Sequence, residues 1–306
     1  MNKNSQASSQ SQNLDLNKPC LADSQSRGEL FALSLTLIEA WFPIFAFFTV
    51  AALGGLHAYF YSLLVAVLFL FIWWVWRGKQ AEIRLTSAYK NLGLTTLFIT
   101  SLFALTFIGL QYTTATNVAI ILFLQILFSY LFLGRRQEER LNLKQVSGAL
   151  LMTLGALLIL FPGSLKANIG DLFVLGAAML APIANLYQKK ARAQVSSETI
   201  LLVRSVIALP FIYLLASLFE LAPSIEMLES QFVWLLLTGF LVFFVAKVLW
   251  VEAIYILPIT KVNALFAFAP LMTMGLAYLV LNQVPNLYQI LGMLPILMGG
   301  YLITRR

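Results

Sequence analysis

The chain has 306 residues, of which 60% are hydrophobic and 11% charged, with a mean hydropathy of +0.85 and a formal net charge of +7. That balance leaves too little polar surface for a water-soluble protein of this length, so a lipid-facing exterior is expected. The single cysteine, Cys20, excludes an internal disulfide and a cysteine metal site, and the only histidine, His57, stands at the boundary between the first two apolar stretches, which leaves no His/Cys metal cluster and no histidine-based triad.

Residues 1–27 are polar, rich in Ser, Gln and Asn, and hold no apolar run that could serve as a signal peptide, so they are expected to form a disordered cytoplasmic tail. Ten apolar stretches follow, at 30–54, 57–76, 92–110, 114–133, 143–161, 170–188, 199–219, 232–256, 259–281 and 286–304. A helix needs ~20 such residues to cross ~30 Å of hydrocarbon, so the predicted fold is an all-α membrane protein of ten transmembrane helices.

Basic residues set the orientation, because short cytoplasmic loops retain Lys and Arg. With an inner N-terminus, the inner loops hold Arg77, Lys79, Arg84 and Lys90, then Arg135, Arg136, Arg140 and Lys144, then Lys189, Lys190 and Arg192, with Arg305 and Arg306 at the end. The outer loops hold only Lys166, while Glu220, Glu226 and Glu229 fall in one of them. Both termini are therefore expected in the cytoplasm, in a bacterial-type inner membrane. The positive charge reads as a topology signal and a contact for anionic lipid; no basic soluble face suggests nucleic acid.

The segment Gln111 to Ile159 returns as Tyr255 to Ile303 at an offset of 144, aligning Thr116 with Thr260, Val118 with Val262, Gly148 with Gly292, Gly155 with Gly299 and Ile159 with Ile303. Five spans per half is an odd number, so two related halves, 28–165 and 166–306, are expected to enter the membrane in opposite directions. The charges agree: Phe132-Leu133-Gly134-Arg135-Arg136 ends the fourth span, and its counterpart Val280-Leu281-Asn282-Gln283-Val284 has no basic residue. Thr116 to Tyr130 is 14 residues where Thr260 to Tyr278 is 18, which predicts a straight fourth span about one turn shorter than the ninth.

Charges within spans are costly unless they face a cavity or a partner. Glu39 and Lys247 both fall ~4 to 5 Å to the cytoplasmic side of the midplane and are expected to meet, either as a coupling carboxylate and an anion-binding amine or as a structural ion pair. Pro43, Pro182 and Pro270 each remove a helix hydrogen bond, freeing the carbonyls of Glu39, Ala178 and Phe266. Trp250 shares a face with Lys247, Phe243 and Ile254 and offers a stacking surface. Asn117, Gln125, Asn185 and Asn263 are the remaining cavity candidates, with interhelical bonding as the bland account of each; Asn117 and Gln125 lie on neighbouring parts of one face of the fourth span. Arg204, Glu252 and Lys261 are expected to snorkel to water.

The chain resembles the EamA family of the drug/metabolite transporter superfamily in Gly-Leu-Gln-Tyr-Thr-Thr-Ala-Thr-Asn (109–117), Tyr-Leu-Phe-Leu-Gly (130–134) and Val-Ser-Gly-Ala-Leu-Leu-Met-Thr-Leu-Gly (146–155). The second half continues it through Gly170-Asp171-Leu172, Tyr187-Gln188-Lys189-Lys190 and Ala267-Phe268-Ala269-Pro270. The resemblance implies ten helices, no cofactor, and transport of small organic solutes, often amino acids or related metabolites and often outward. The resulting expectation is a secondary transporter, monomer or homodimer, with a small-molecule substrate and with protons as candidate coupling ions through Glu39. A channel and a non-transporting scaffold are the alternatives; an enzyme is disfavoured because no soluble domain or glycine-rich phosphate loop is present.

Overall fold

Backbone groups surrounded by hydrocarbon have no water to bond, so a chain this apolar satisfies them within helices. In the computed structural model, which describes residues 18–133, 143–160 and 168–304, the described secondary structure is helical and contains no strand. The helices are α1 (Lys18–Glu39), α2 (Phe42–Leu53), α3 (Gly55–Trp76), α4 (Tyr89–Leu110), α5 (Ala115–Phe123), α6 (Gln125–Leu133), α7 (Leu143–Leu160) and α8 (Ile169–Arg192). After them come α9 (Ser197–Phe219), α10 (Ile225–Leu237), a π-helical segment (Thr238–Ala246), α11 (Lys247–Ile256), α12 (Ile259–Leu265), α13 (Ala269–Leu281) and α14 (Leu287–Thr304).

Seven described helical stretches are long and apolar enough to cross a membrane: Gln25–Leu53, Gly55–Trp76, Thr86–Leu110, Ala115–Leu133, Ile169–Arg192, Ser197–Phe219 and Ile225–Ile256. Three shorter apolar helices, Val146–Ile159, Ala269–Leu281 and Leu287–Leu302, occupy the other expected positions. Large apolar side chains such as Leu68, Phe71, Phe211 and Leu214 stand exposed on the bundle's exterior, where a soluble protein would place polar ones. The first 17 residues, Arg135, Arg136, Arg140, Lys166, Arg305 and Arg306 lie outside the described residues.

Several boundaries differ from the sequence reading. The first helix begins at Lys18, so the end of the polar segment continues the helix, with Gln25 donating to Glu29 one turn on. The first span is broken at Ala40 and Trp41. Pro43 has no N–H to give, and the N–H groups of Ile44 and Phe45 both turn to the Trp41 carbonyl at 3.0 Å. The Ala40 carbonyl, left without its regular partner, accepts from Thr273 Oγ1 at 2.8 Å. Pro270 likewise sits at the restart of a helix, after the 3₁₀ turn Phe266–Phe268, whereas Pro182 stays inside the unbroken α8. The fourth span is interrupted rather than one regular helix: Leu124 N bonds to Ile121 O at 3.0 Å, a tightened turn that separates α5 from α6 without any proline to announce it. The eighth begins at Ile225, seven residues before its expected start at 232.

Helices from the two halves pack antiparallel. α1 and α2 run against the α10 to α11 stretch, with Gly28 beside Leu257 at one end and Phe48 stacked on Trp234 at 4.3 Å at the other. α4 runs against α8 from Asn91, bonded to Gln194 at 3.1 Å, through Phe98 stacked on Tyr187, to the close approach of Gly109 and Gly170. α3 runs against α9, where Trp74 Nε1 donates to Thr199 at 3.0 Å and Phe60 meets Tyr213. α7 and α14 approach at two glycine pairs, Gly148 with Gly299 and Gly155 with Gly292. Phe42, Tyr59, Phe103, Phe107 and Phe243 form the aromatic centre of the core.

The turn after α3 is tied down by Glu82, whose carboxylate accepts from Ser196 N at 2.8 Å, Ser196 Oγ at 2.7 Å and Thr199 Oγ1 at 2.6 Å. Burial pushes the Glu82 carboxyl up, but these hydrogen bonds and Lys79 outweigh it and hold the group below its ordinary value of 4.5. A lowered folded value means that the contribution to stability is present above the unfolded value and lost as pH falls through the folded one. Thermal melts are therefore expected to fall on acidification below the ordinary value, and Glu82→Gln is expected to flatten that part of the profile. An unchanged profile in the variant would assign the acid sensitivity elsewhere.

Candidate functional site

Two irregularities in the helices meet at the centre of the bundle. Glu39 is the last residue of α1, at the break forced by Pro43, and Lys247 is the first residue of α11, directly after the π-helical segment. Wide π turns shift the face that follows them and often occur at functional positions. Here the segment is held close to α3, since a Cβ on Gly239 would lie 2.6 Å from Val65.

Lys247 Nζ donates to Glu39 Oε1, and the ammonium also lies 5.0 Å from the centre of the Phe103 ring. Glu39 is 8% exposed and Lys247 9%, so the pair is removed from solvent. Both line a cavity of about 80 Å³ together with Gln125, Asn185, Gln188, Arg204 and Trp250, closed by apolar walls that include Phe42, Phe103 and Phe266. Trp250 Nε1 donates to Asn185 Oδ1 at 3.0 Å, and its ring meets Phe266 edge-on. Asn185 lies one turn after Pro182 in α8, and the adjoining Ala181 also lines the cavity. Five of the residues singled out in the sequence, Glu39, Lys247, Trp250, Asn185 and Gln125, thus come together.

Asn117 and Asn263 are placed elsewhere. Asn117 Nδ2 donates to both oxygens of Asp171 at 3.1 Å, its Oδ1 accepts from Gln289 at 2.7 Å, and Thr113 Oγ1 also donates to Asp171. Asn263 is fully buried and donates to Ser129 at 3.4 Å. Both amides join helices. Asp171, 2% exposed and anchoring the first of these clusters, entered the sequence reading only within the Gly170-Asp171-Leu172 motif and without a role, although an acid in the first turn of an apolar helix preceded by Asn168 is a recognisable signal.

Arg204 is the clearest departure from the sequence reading. It does not snorkel; it is 4% exposed and lines the central cavity. Its position seven residues into α9 puts it ~10 Å from the helix end, a depth that would have marked it. Gln188, 1% exposed, was hidden in a motif and is placed at the cavity only by the packing of α8. Glu252 does not reach for water alone, since Arg192 grips it through Nε at 2.8 Å and Nη2 at 3.1 Å. Lys261, about one-third exposed, bonds to Glu29 at 2.6 Å. His57 is structural: Glu220 accepts from the backbone N–H groups of Leu56 and His57 at 2.8 and 2.9 Å, capping α3 from another segment, and also meets His57 Nδ1 at 3.1 Å.

A larger cavity of about 560 Å³ opens at the end of the bundle that carries Arg77, Lys79 and Arg192. Its charges are mostly spent on one another, in Arg77 with Glu198 at 3.2 Å, Lys79 with Glu82 at 3.5 Å and Arg192 with Glu252. Val248 lines it while the adjacent Lys247 lines the central cavity, so α11 borders both. The larger space is lined mainly by polar and paired charged groups, and the smaller one holds the buried Glu39–Lys247 pair and Arg204.

The sequence profile of the EamA-like transporter family matches the chain twice, over residues 26–161 and 168–305. An uncharacterized transporter of Archaeoglobus fulgidus is 26% identical over 282 residues, spanning 90% of this chain and 96% of the relative. A protein of known crystal structure, 18% identical, superimposes with a TM-score of 0.68 over 90% of this chain and 96% of its own, a likeness of fold. The apolar helices and the double match describe a multi-pass membrane transporter rather than an enzyme, and the chain belongs to the EamA-like transporter family.

Proposed function

We propose that the protein is a ten-helix secondary transporter in which two inverted repeats, 28–165 and 166–306, enclose the Glu39–Lys247 cavity and expose it alternately to the two sides. The observation that carries this reading is a buried ion pair lining a cavity where a broken helix of one repeat meets a π-distorted helix of the other. Inversion is supported by the packing. At the offset of 144, the contact of Gly148 with Gly299 maps onto that of Gly292 with Gly155, as a two-fold axis lying in the membrane would require. Phe103 stands at the same offset from Lys247, and the contact between the two supports an axis close to the cavity.

In this reading the membrane is a cell inner membrane with both termini cytoplasmic, following the basic loops. The cargo is a small polar organic metabolite of amino-acid type, moved outward, as the family resemblance implies. Glu39 is the coupling carboxylate: when protonated it releases Lys247, and when ionised it holds it, so occupancy by a proton and by solute are linked.

The test is proton movement in proteoliposomes given a metabolite panel under opposing pH gradients, with Glu39→Gln and Lys247→Ala alongside the native chain. Solute-driven proton flux in the native protein alone is the expected result. Label exchange without proton flux would reduce Glu39 to a partner of Lys247, and the absence of saturable movement of any solute would sink the transporter mechanism in favour of a scaffold.

A further inference from the structure

We infer that Arg204 and Gln188 form an anion-binding subsite in the central cavity, and that the solute carries a carboxylate and a net negative charge. This rests on the transporter reading above and narrows its cargo to acidic amino acids and other monoanionic carboxylates.

Arg204 and Gln188 are both more than nine-tenths buried and both line the cavity that holds Glu39 and Lys247. Nη1 of Arg204 and both Nε2 and Oε1 of Gln188 meet no hydrogen-bond partner among the described residues. Buried donors and acceptors of this kind are nearly always satisfied in proteins, so three unmet atoms at one cavity point to something that arrives from outside.

Charge gives a second, independent argument. The ionisable lining consists of one carboxylate, Glu39, against two cations, Lys247 and Arg204, and Glu39 is already bonded to Lys247. Tyr59, which lines a recess beside Arg204, is a phenol and cancels nothing. The cavity therefore holds one surplus positive charge away from water, and a bound monoanion makes it neutral. A guanidinium receives a carboxylate through two parallel N–H donors, and Gln188 Nε2 supplies another. Gln188 Oε1 is then left for a hydroxyl or amide on the solute, and the Ile99, Leu102 and Phe103 walls suit a short carbon skeleton. A cationic solute adds to the surplus, and a zwitterion leaves it in place.

The experiment uses the purified full-length protein, with lactate, benzoate and glutamate as monoanions, alanine as zwitterion, ethanolamine as cation and chloride as inorganic anion. Binding is read from saturable shifts in Tm, and transport from counterflow of the same solutes in proteoliposomes. At least one monocarboxylate is expected to bind where ethanolamine does not. Arg204→Gln and Gln188→Leu are each expected to weaken it at least tenfold, with Arg204→Lys intermediate because it keeps the charge and loses the fork. If Arg204→Gln fails to fold, Gln188→Leu decides, and unchanged carboxylate binding in that variant overturns the subsite. No binding by any of the three monoanions, or chloride matching them all, also overturns the carboxylate assignment. Saturable alanine flux untouched by either substitution would leave the transporter standing without the anion subsite. Arg204-dependent carboxylate binding with no counterflow would leave the subsite standing without transport.

Discussion

Removing the carboxylate of Glu39 while keeping Lys247 is expected to destabilise the protein by about 3–5 kcal/mol, because the ammonium is then left buried without its counter-charge. Lys247→Ala is expected to fall in the same range for the converse reason, despite removing the contact with the Phe103 ring as well. The informative variant is the double replacement, Glu39→Gln with Lys247→Met. It removes both charges and keeps approximate volume, so it is expected to recover most of the stability lost by either single change. Unfolding of the native protein, Glu39→Gln, Lys247→Met and the double variant in one detergent closes the cycle and measures the coupling, and strictly additive losses would show that the two groups do not act as a pair. Transport separates the two roles of the pair. A stable double variant that no longer moves solute assigns the ions to function, whereas one that transports normally assigns them to joining α1 and α11.

The second large effect is expected at the α7–α14 contact. A Cβ on Gly292 would lie 2.7 Å from the Gly155 carbonyl oxygen, and Cβ atoms on Gly155 and Gly299 would press closer still on the carbonyls of Gly292 and Gly148. The obstacle in each case is backbone, which cannot turn aside as a side-chain end can. Overpacking ordinarily costs ~1–3 kcal/mol, and Gly155→Ala and Gly299→Ala are expected at or above the top of that range. Gly93 and Gly275 have no atom within 4 Å of such a Cβ. Alanine there is expected to be neutral or to stabilise by up to ~1 kcal/mol through helix propensity. Melting temperatures of the four single variants test this, and equal values for Gly155→Ala and Gly93→Ala would mean that the helices separate without cost.

Much of the fold was legible in one dimension. Hydropathy placed the long apolar stretches, because the need to satisfy backbone groups in hydrocarbon acts on every residue of a span alike. The glycines aligned at the 144-residue offset turn out to be those where α7 and α14 touch, since close approach demands the same small residue in both halves. Depth arithmetic brought Glu39 and Lys247 to one level, and they do bond. What sequence could not supply was azimuth. Whether a polar side chain faces the cavity, a neighbouring helix or lipid depends on the rotation of each helix, which side-chain packing sets across the whole bundle. That is why Asn185 faces the cavity while Asn117 and Asn263 join helices, although all three are amides in apolar spans. It is also why Gln188 emerged only in three dimensions, and why the break at Leu124, made by an i to i−3 hydrogen bond with no proline or glycine beside it, left no mark in the sequence. The sequence alone determined a membrane chain built from a repeated unit with two charges at one depth; tertiary packing decided which side chains share the central cavity, because it alone sets the rotation of each helix about its axis.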